Sequence, residues 1–131
     1  MGTITCVGRD GGSRTYEYSV TRVRDEWLYR VRSTPPPTSG GTLELTVKEV
    51  SDTEVMVTMM HHHWQPEYAA RGIPDALLPR IREELEQTVA SSPSAGSGNV
   101  YRTPDATKVW ERLKNAGIAS YSESEDVYRI S

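Results

Sequence analysis

The sequence predicts an α+β fold in which one central, mostly antiparallel and twisted sheet carries two main helices. Three observations support this prediction. Alternating apolar and polar residues fill the first half, two stretches of helical periodicity follow, and neither an internal repeat nor a linker divides the chain. A length of 131 residues fits one domain. We expect a strand-rich half over residues 1–64 and a second, helix-containing half over residues 65–131.

The first half reads as a series of β-hairpins. Residues 3–7 are β-prone, and the turn at residues 8–13 carries an Asp-Gly-Gly tip. Two alternating runs on either side of a turn at residues 24–26 predict the first hairpin. A loop rich in Pro, Ser and Gly spans residues 34–41, and a second hairpin turning at residues 51–53 follows it. The inward residues of these strands are Tyr16, Tyr18, Val20, Trp27, Tyr29, Val31, Leu43, Leu45, Val47, Val55, Val57 and Met59.

The pattern changes at Pro66 to spacings of three and four, which predict an amphipathic helix. Its apolar stripe is Ile73, Leu77, Leu78, Ile81, Leu85 and Val89. The Ser- and Gly-rich residues 90–99 end the helix, and residues 100–102 fit a short strand. We expect the Met56, Met59 and Met60 side chains to pack against this helix, because methionine is an adaptable core filler.

A second helix is predicted from its end signals. Thr103 is a good N-cap, Pro104 suits the first helical position, and Gly117 suits the position just beyond the end. Its buried stripe is Ala106, Val109, Trp110 and Leu113. Residues 118–121 and 126–130 are expected to close the sheet as strands.

Composition limits the classes of function. A net charge of −3, from 15 basic and 18 acidic residues, disfavours a general nucleic-acid binder. Four arginines do fall on neighbouring strands, which leaves a solvated strand face or a phosphate-binding patch as alternatives. These are Arg22, Arg24, Arg30 and Arg32.

Cellular location is predicted from cysteine usage and hydropathy. Cys6 is the only cysteine, so no disulfide forms within the chain, and we expect it to be a small buried residue. The sequence contains neither a signal-peptide pattern nor an apolar run long enough to cross a bilayer. These features predict a cytoplasmic protein that does not enter a membrane.

The run His61-His62-His63 is open to three interpretations. On a strand, His61 and His63 share one face and could bind zinc if Glu67 joined them. No spaced partner His or Cys occurs elsewhere, so we expect surface or pocket-lining histidines and no bound metal. In the third interpretation, His63 or Glu67 is a general base for an amine.

The segment from Gln65 to Leu78 places a Gly-containing loop between a strand and a helix, where backbone N–H groups and the helix dipole favour an anion such as pyrophosphate. It contains Arg71-Gly72-Ile73, preceded by Pro-Glu-Tyr and followed by Ala-Leu-Leu. This segment resembles the signature loop of the GCN5-related N-acetyltransferase (GNAT) family, which grips the pyrophosphate of acetyl-CoA. The resemblance implies a cofactor site of Arg71, Gly72, Ile73, Asp75 and Ala76.

The later helix is similar to that of the same family, with Ala106, Trp110, Leu113 and Gly117 in the family's order. The resemblance implies acetyl transfer from acetyl-CoA to an amine. A splayed gap between the strand ending near His61 and the strand near Val100 would support a CoA groove, and a continuously hydrogen-bonded sheet there would count against one.

Several positions differ from the family pattern. Ala69 replaces a Gln or Arg, and Pro74 replaces a Gly or Ala and so removes one N–H donor. Pro79 is expected to distort the helix. Trp110 replaces the tyrosine that protonates the departing thiolate, and the family's two helices between the first strands are missing. A second hypothesis is therefore a non-catalytic module that contacts a protein partner or a second copy of itself.

Overall fold

The computed structural model describes residues 2–8, 11–33, 43–61, 72–93, 102 and 104–131. The described residues form eight strands and two helices. In chain order these are β1 (Gly2–Val7), β2 (Ser13–Val23), β3 (Glu26–Ser33), β4 (Leu43–Glu49), β5 (Glu54–His61), α1 (Ile73–Leu85), β6 (Thr88–Ala90), α2 (Pro104–Asn115), β7 (Ser120–Ser122) and β8 (Val127–Ile130).

All of these strands belong to one sheet in the order β1-β2-β3-β4-β5-β6-β8-β7. Neighbouring strands from β1 to β5 are antiparallel, as are the β6–β8 and β7–β8 pairs. The β5–β6 pair is parallel, because the chain crosses from one strand to the other through α1. The predicted α+β class, with a mostly antiparallel sheet and two helices, is confirmed.

The hairpins form where the alternation of apolar residues predicted them. Tyr18 lies opposite Val31, and Tyr29 lies opposite Leu45, so one face of the sheet is apolar along its length. Arg24 adopts a left-handed φ of 59° and turns the chain between β2 and β3. The local sequence therefore sets both the pairing and the register of the first strands.

Both helices pack on this apolar face. The α1 stripe of Ile73, Leu77, Leu78 and Ile81 is fully buried. On the β8 side, Trp110 of α2 stacks on Tyr128 with ring centroids 6.1 Å apart. Pro74 lies in the first turn of α1, and the helix extends past Pro79 to Leu85. Pro79 therefore does not end the helix.

The prediction that Val89 continues the first helix is wrong. Glu86 adopts a left-handed φ of 53° after Leu85 and turns the chain, and Thr88 begins β6. Val89 is buried in this strand, opposite Val55. An apolar residue four positions beyond Leu85 fits a helix stripe and a buried strand equally well, so periodicity alone could not separate them.

Helix α2 has the predicted ends. It begins at Pro104, and Gly117 follows its last turn with a φ of 79°. The Gly117 N–H donates to the Lys114 carbonyl at 3.0 Å, and the Ile118 N–H donates to the Leu113 carbonyl at 2.9 Å. This pair of bonds is a Schellman motif, which satisfies carbonyls that the helix leaves free.

Candidate functional site

The carboxyl ends of β5 and β6 and the first turn of α1 lie at the same end of the sheet, because α1 is the crossover between two parallel strands. The two strands pair only through Glu54–Thr88, Val55–Val89 and Met56–Ala90 among the described residues. Strand β5 continues to His61, whereas β6 ends at Ala90. The carboxyl ends of parallel strands are common ligand sites in sheets with helical crossovers.

The described neighbour of β5 on this side is β6 at Thr88–Ala90. A gap between the strand ending near His61 and the strand near Val100 stays a prediction. Val100 lies outside the described residues, as does Tyr101. Among the described residues, the β5–β6 pairs end at Met56–Ala90.

A β-bulge lies where β5 pairs with β4, just beyond the level of the last β5–β6 pair. The register shifts between Thr46 and Val47, which pair with Met59 and Val57, so Thr58 is the extra residue. Bulges bend a strand and are frequent next to active sites. The bulge also turns Met59 away from the core, leaving it 38% exposed. The predictions that Met59 points inward and packs against α1 are therefore wrong.

Side chains satisfy backbone groups where β6 leaves the ladder. The Ser91 N–H donates to the Tyr128 carbonyl at 2.8 Å, but the Tyr128 N–H donates back to Ser91 Oγ at 2.9 Å. The buried Ser92 hydroxyl donates to the Val57 carbonyl of β5. Beyond Ala90, serine hydroxyls thus satisfy groups that backbone atoms satisfy elsewhere in the sheet.

Arg102 holds this segment to the rest of the fold. Its Nη1 donates to the Ser92 carbonyl at 3.2 Å, and its Nη2 donates to Asp126 Oδ1 at 2.9 Å. Its Nε donates to Thr107 Oγ1 of α2 at 2.8 Å. The guanidinium lies 4.9 Å from the centre of the Tyr128 ring. Sequence reasoning missed this cluster, because an isolated arginine before a helix carries no signal that it is buried.

Gly72 occupies the N-cap of α1 with a φ of 74° and without a side-chain cap. A Cβ at this position would lie 2.2 Å from the Val7 carbonyl oxygen of β1. Packing against β1 is therefore sufficient to explain the glycine. The Ala76 N–H donates to the Gly72 carbonyl at 3.2 Å. The N–H groups that precede it in the first turn have no partner within the helix, and these include the N–H groups of Ile73 and Asp75.

The Asp75 side chain connects the first turn of α1 to α2. Its carboxylate accepts hydrogen bonds from Arg112 Nε at 2.7 Å and Nη2 at 2.9 Å. The bond to Asp75 raises the pKa of Arg112. Burial, and then the charge of Asp75, raise the pKa of the buried Cys6 thiol to about 11, which makes Cys6 a poor nucleophile.

The predicted second helix supplies no obvious acid for a departing thiolate. Trp110 is 1% exposed, and an indole N–H is too weak an acid for this role. The Tyr128 hydroxyl beside it donates to Glu111. Burial, followed by the bond and charge of Glu111, raises the pKa of Tyr128 to about 12. Tyr128 therefore holds its proton firmly at neutral pH.

The remaining sequence predictions concern three site residues, a metal site and a membrane span. His63, Glu67 and Arg71 lie outside the described residues. Among the residues that are described, we find no cluster of His, Cys, Asp or Glu able to hold a metal ion. Neither helix in the described ranges has the length and apolar character needed to cross a bilayer.

The prediction that Arg24 falls on a strand is wrong, because it lies in the turn between β2 and β3. The other three arginines are engaged with neighbouring side chains. Arg30 Nε lies 3.0 Å from Glu44, and Arg32 Nη2 lies 3.7 Å from Glu17. Arg22 lies 4.8 Å from the centre of the Trp27 ring. This arrangement favours the solvated strand face over a phosphate-binding patch.

Comparisons of this chain with protein-family models, with curated proteins and with solved structures each gave no match.

Proposed function

We propose that this protein binds acetyl-CoA at the carboxyl ends of β5 and β6 and transfers its acetyl group to an amine. The observation that carries the proposal is the parallel β5–α1–β6 unit, in which the pairs between described residues end at Met56–Ala90 and β5 continues to His61. In this proposal, backbone groups at the carboxyl end of β5 bond the amides of a pantetheine arm, as the edge of a sheet bonds an added peptide strand. The first turn of α1 at the same end of the sheet favours the pyrophosphate.

In the proposed reaction, the amine nitrogen attacks the thioester carbonyl carbon directly. The C–N bond forms, the C–S bond breaks, and the amine proton passes to a base, for which His63 and Glu67 remain the candidates. Solvent protonates the thiolate, because Trp110 cannot. Holding the two reactants together is the main contribution of such a site to the rate.

A non-catalytic interaction module is the second candidate, and the start of α1 favours it. Pro74 offers no N–H, and the carboxylate of Asp75 stands in the first turn, where a diphosphate would otherwise be favoured. Packing of Gly72 against Val7 accounts for the glycine without a ligand. A protein that keeps this scaffold and binds no CoA would act through its surface.

A thermal-shift titration with acetyl-CoA separates the two candidates. A ligand that binds only the folded state adds about 2.7 kcal/mol at about 100 times its Kd, which raises the Tm. We expect a shift with acetyl-CoA and N-acetylated product with a panel of amines. Lack of any shift at millimolar acetyl-CoA would exclude the acyltransferase. A shift without product would support a binding protein.

Asp75→Asn tests whether the ligand lies at α1. The variant keeps the backbone N–H and removes a negative charge, so we expect a lower Kd for acetyl-CoA at low salt. An unchanged Kd would place the pyrophosphate away from this turn. Substitutions of Gly72 are unsuitable here, because any side chain meets the Val7 carbonyl.

A further inference from the structure

Strand β2 extends beyond its partner β1 and so forms part of the edge of the sheet. β1 pairs with β2 only as far as Tyr18, which lies opposite Gly2, whereas β2 continues to Val23. On the other side, the β3 ladder follows β2 to its end. Among the described residues, none pairs with residues 19–23 on the β1 side. These residues, the β2 step, form an edge of the kind that accepts an added strand.

The hydrogen bonds of the two flanking ladders show which groups of the β2 step face the edge. The Gly8 N–H donates to the Gly12 carbonyl at 3.1 Å, so the even-numbered residues of β2 bond toward β1. Val23 closes the two-residue turn into β3, so the odd-numbered residues bond β3. The N–H and C=O groups of Val20 and Arg22 are therefore directed to the edge that β1 leaves uncovered.

The described side chains around the β2 step leave this edge accessible. The Arg22 Nε donates to the Arg24 carbonyl at 3.1 Å, and its guanidinium lies 4.8 Å from the centre of the Trp27 ring on β3. The longest side chain of the step is thus folded over β3 and away from the edge. On the same face, Val20 is half-buried against the core and offers an apolar neighbour to an added strand.

The charge at this edge is positive on the face that carries the helices. The two other strand arginines are paired with glutamates of neighbouring strands. Arg22 and Arg24 are exposed, and within the described ranges neither is paired with a carboxylate. Glu26 lies opposite Lys48 in the β3–β4 ladder, on the other face of the sheet. An occupant that brings a carboxylate beside Arg22 therefore supplies the missing charge.

We propose that the β2 step binds an extended, acidic peptide segment of a partner protein as an added antiparallel strand. Antiparallel pairing is the more stable arrangement per residue, and here it continues the line of β1. The peptide residue opposite Arg22 is acidic, and the residue two positions later, opposite Val20, is apolar. β3 and β4 separate this site from β5, so the proposal is independent of acetyl-CoA binding.

Titration with a defined peptide tests the proposal. The probe is the capped peptide Ser-Thr-Thr-Glu-Thr-Val, which places Glu opposite Arg22 and Val opposite Val20, and its control has Gln in place of Glu. We expect saturable binding to the full chain in amide NMR spectra, and slower hydrogen exchange at the Val20 and Arg22 N–H groups. The Thr21 N–H already bonds β3, so its exchange should change least.

Three variants separate strand addition from other modes of binding. Val20→Pro removes an N–H that faces the edge but no bond to β3, so the Kd should rise about tenfold. Arg22→Gln should raise the Kd about threefold at low salt and abolish the preference for Glu over Gln. Arg30→Gln is the matched control, because it removes a charge that is already paired with Glu44, and it should leave the Kd unchanged.

Several results would overturn the proposal. These are no binding at millimolar peptide, binding without slower exchange at Val20 and Arg22, and a folded Val20→Pro variant with the wild-type Kd. A dimer that protects the same two N–H groups without peptide would also contradict it, because a second copy of the chain would then occupy the edge. If Val20→Pro fails to fold, the exchange measurement on the wild type decides alone.

Discussion

The antiparallel strands β1–β5 and the crossover region β5–β6–β8 are stabilised in different ways. In the first region, neighbouring strands are consecutive in the chain, and long backbone ladders pair them. In the second, the neighbours are distant in sequence, the ladders are short, and Ser91, Ser92 and Arg102 replace backbone partners. The first region follows from local patterns, whereas the second depends on individual side chains.

This difference bears on the proposed site. A continuous ladder leaves few backbone groups for a ligand, whereas the β5–β6 pairs between described residues end at Met56–Ala90. The first turn of α1 lies at the same end of the sheet as the carboxyl ends of β5 and β6, with Gly72 packed against β1. The region that depends on a few side chains is therefore the one in which single substitutions should have the largest effects on both stability and binding.

The largest expected effect separates a buried arginine from an exposed one. Arg102→Met should lower the free energy of unfolding by about 3–5 kcal/mol, because it leaves the Asp126 carboxylate without its paired cation and the Ser92 carbonyl without the Nη1 donor. Arg30→Met breaks the exposed pair with Glu44 in the first region and should cost less than about 1 kcal/mol. Urea denaturation of both variants measures the difference. Equal costs would remove the distinction between the two regions.

Two glycines test the contact between α1 and the first strand. Both Gly72 and Gly117 have left-handed φ angles, so an alanine costs about 1–2 kcal/mol at either position. In Gly72→Ala, but not in Gly117→Ala, the added Cβ also meets a backbone oxygen, that of Val7. This overpacking should lower the free energy of unfolding by about 1–3 kcal/mol more. A larger loss of stability for Gly72→Ala than for Gly117→Ala in urea would confirm the close approach of α1 and β1. Similar losses would show that β1 shifts to make room.

The smallest expected effect is the loss of a tyrosine–glutamate hydrogen bond, and it should be equal in the two regions. Tyr18 donates to Glu84 and Tyr128 donates to Glu111, and burial raises the pKa of each hydroxyl from 10.0 to about 12. Because the folded pKa is the higher one, this stabilisation is complete below about pH 10 and is lost as the pH rises toward about 12.

Tyr18→Phe and Tyr128→Phe should each cost about 1 kcal/mol at neutral pH and reduce the loss of stability above pH 10. Urea midpoints measured over a pH series check both effects. A wild-type stability that stays level between pH 10 and 12, or a variant with an unchanged slope, would contradict this assignment.

Much of the fold could be predicted because its signals are local. Alternation set the hairpins, and Pro104 and Gly117 marked the ends of α2. Two errors arose where a distant element decides. Val89 continues a helix stripe by spacing, yet pairs with Val55, and Met59 continues a strand pattern, yet a bulge turns it outward. Neither strand pairing over long distances nor a bulge leaves a periodic mark in the sequence.

The sequence by itself determined the class of the fold and most strand and helix boundaries, whereas the acyl-CoA site expected around Gly72 stays a prediction. Only the tertiary structure showed that β6 borders β5, that Gly72 packs on Val7 and that Asp75 pairs with Arg112. It also showed the burial of Arg102. The physical reason is that propensity and amphipathicity act between near neighbours in the chain. Burial, charge pairing and the end of a ladder depend on residues that meet only after the chain has folded.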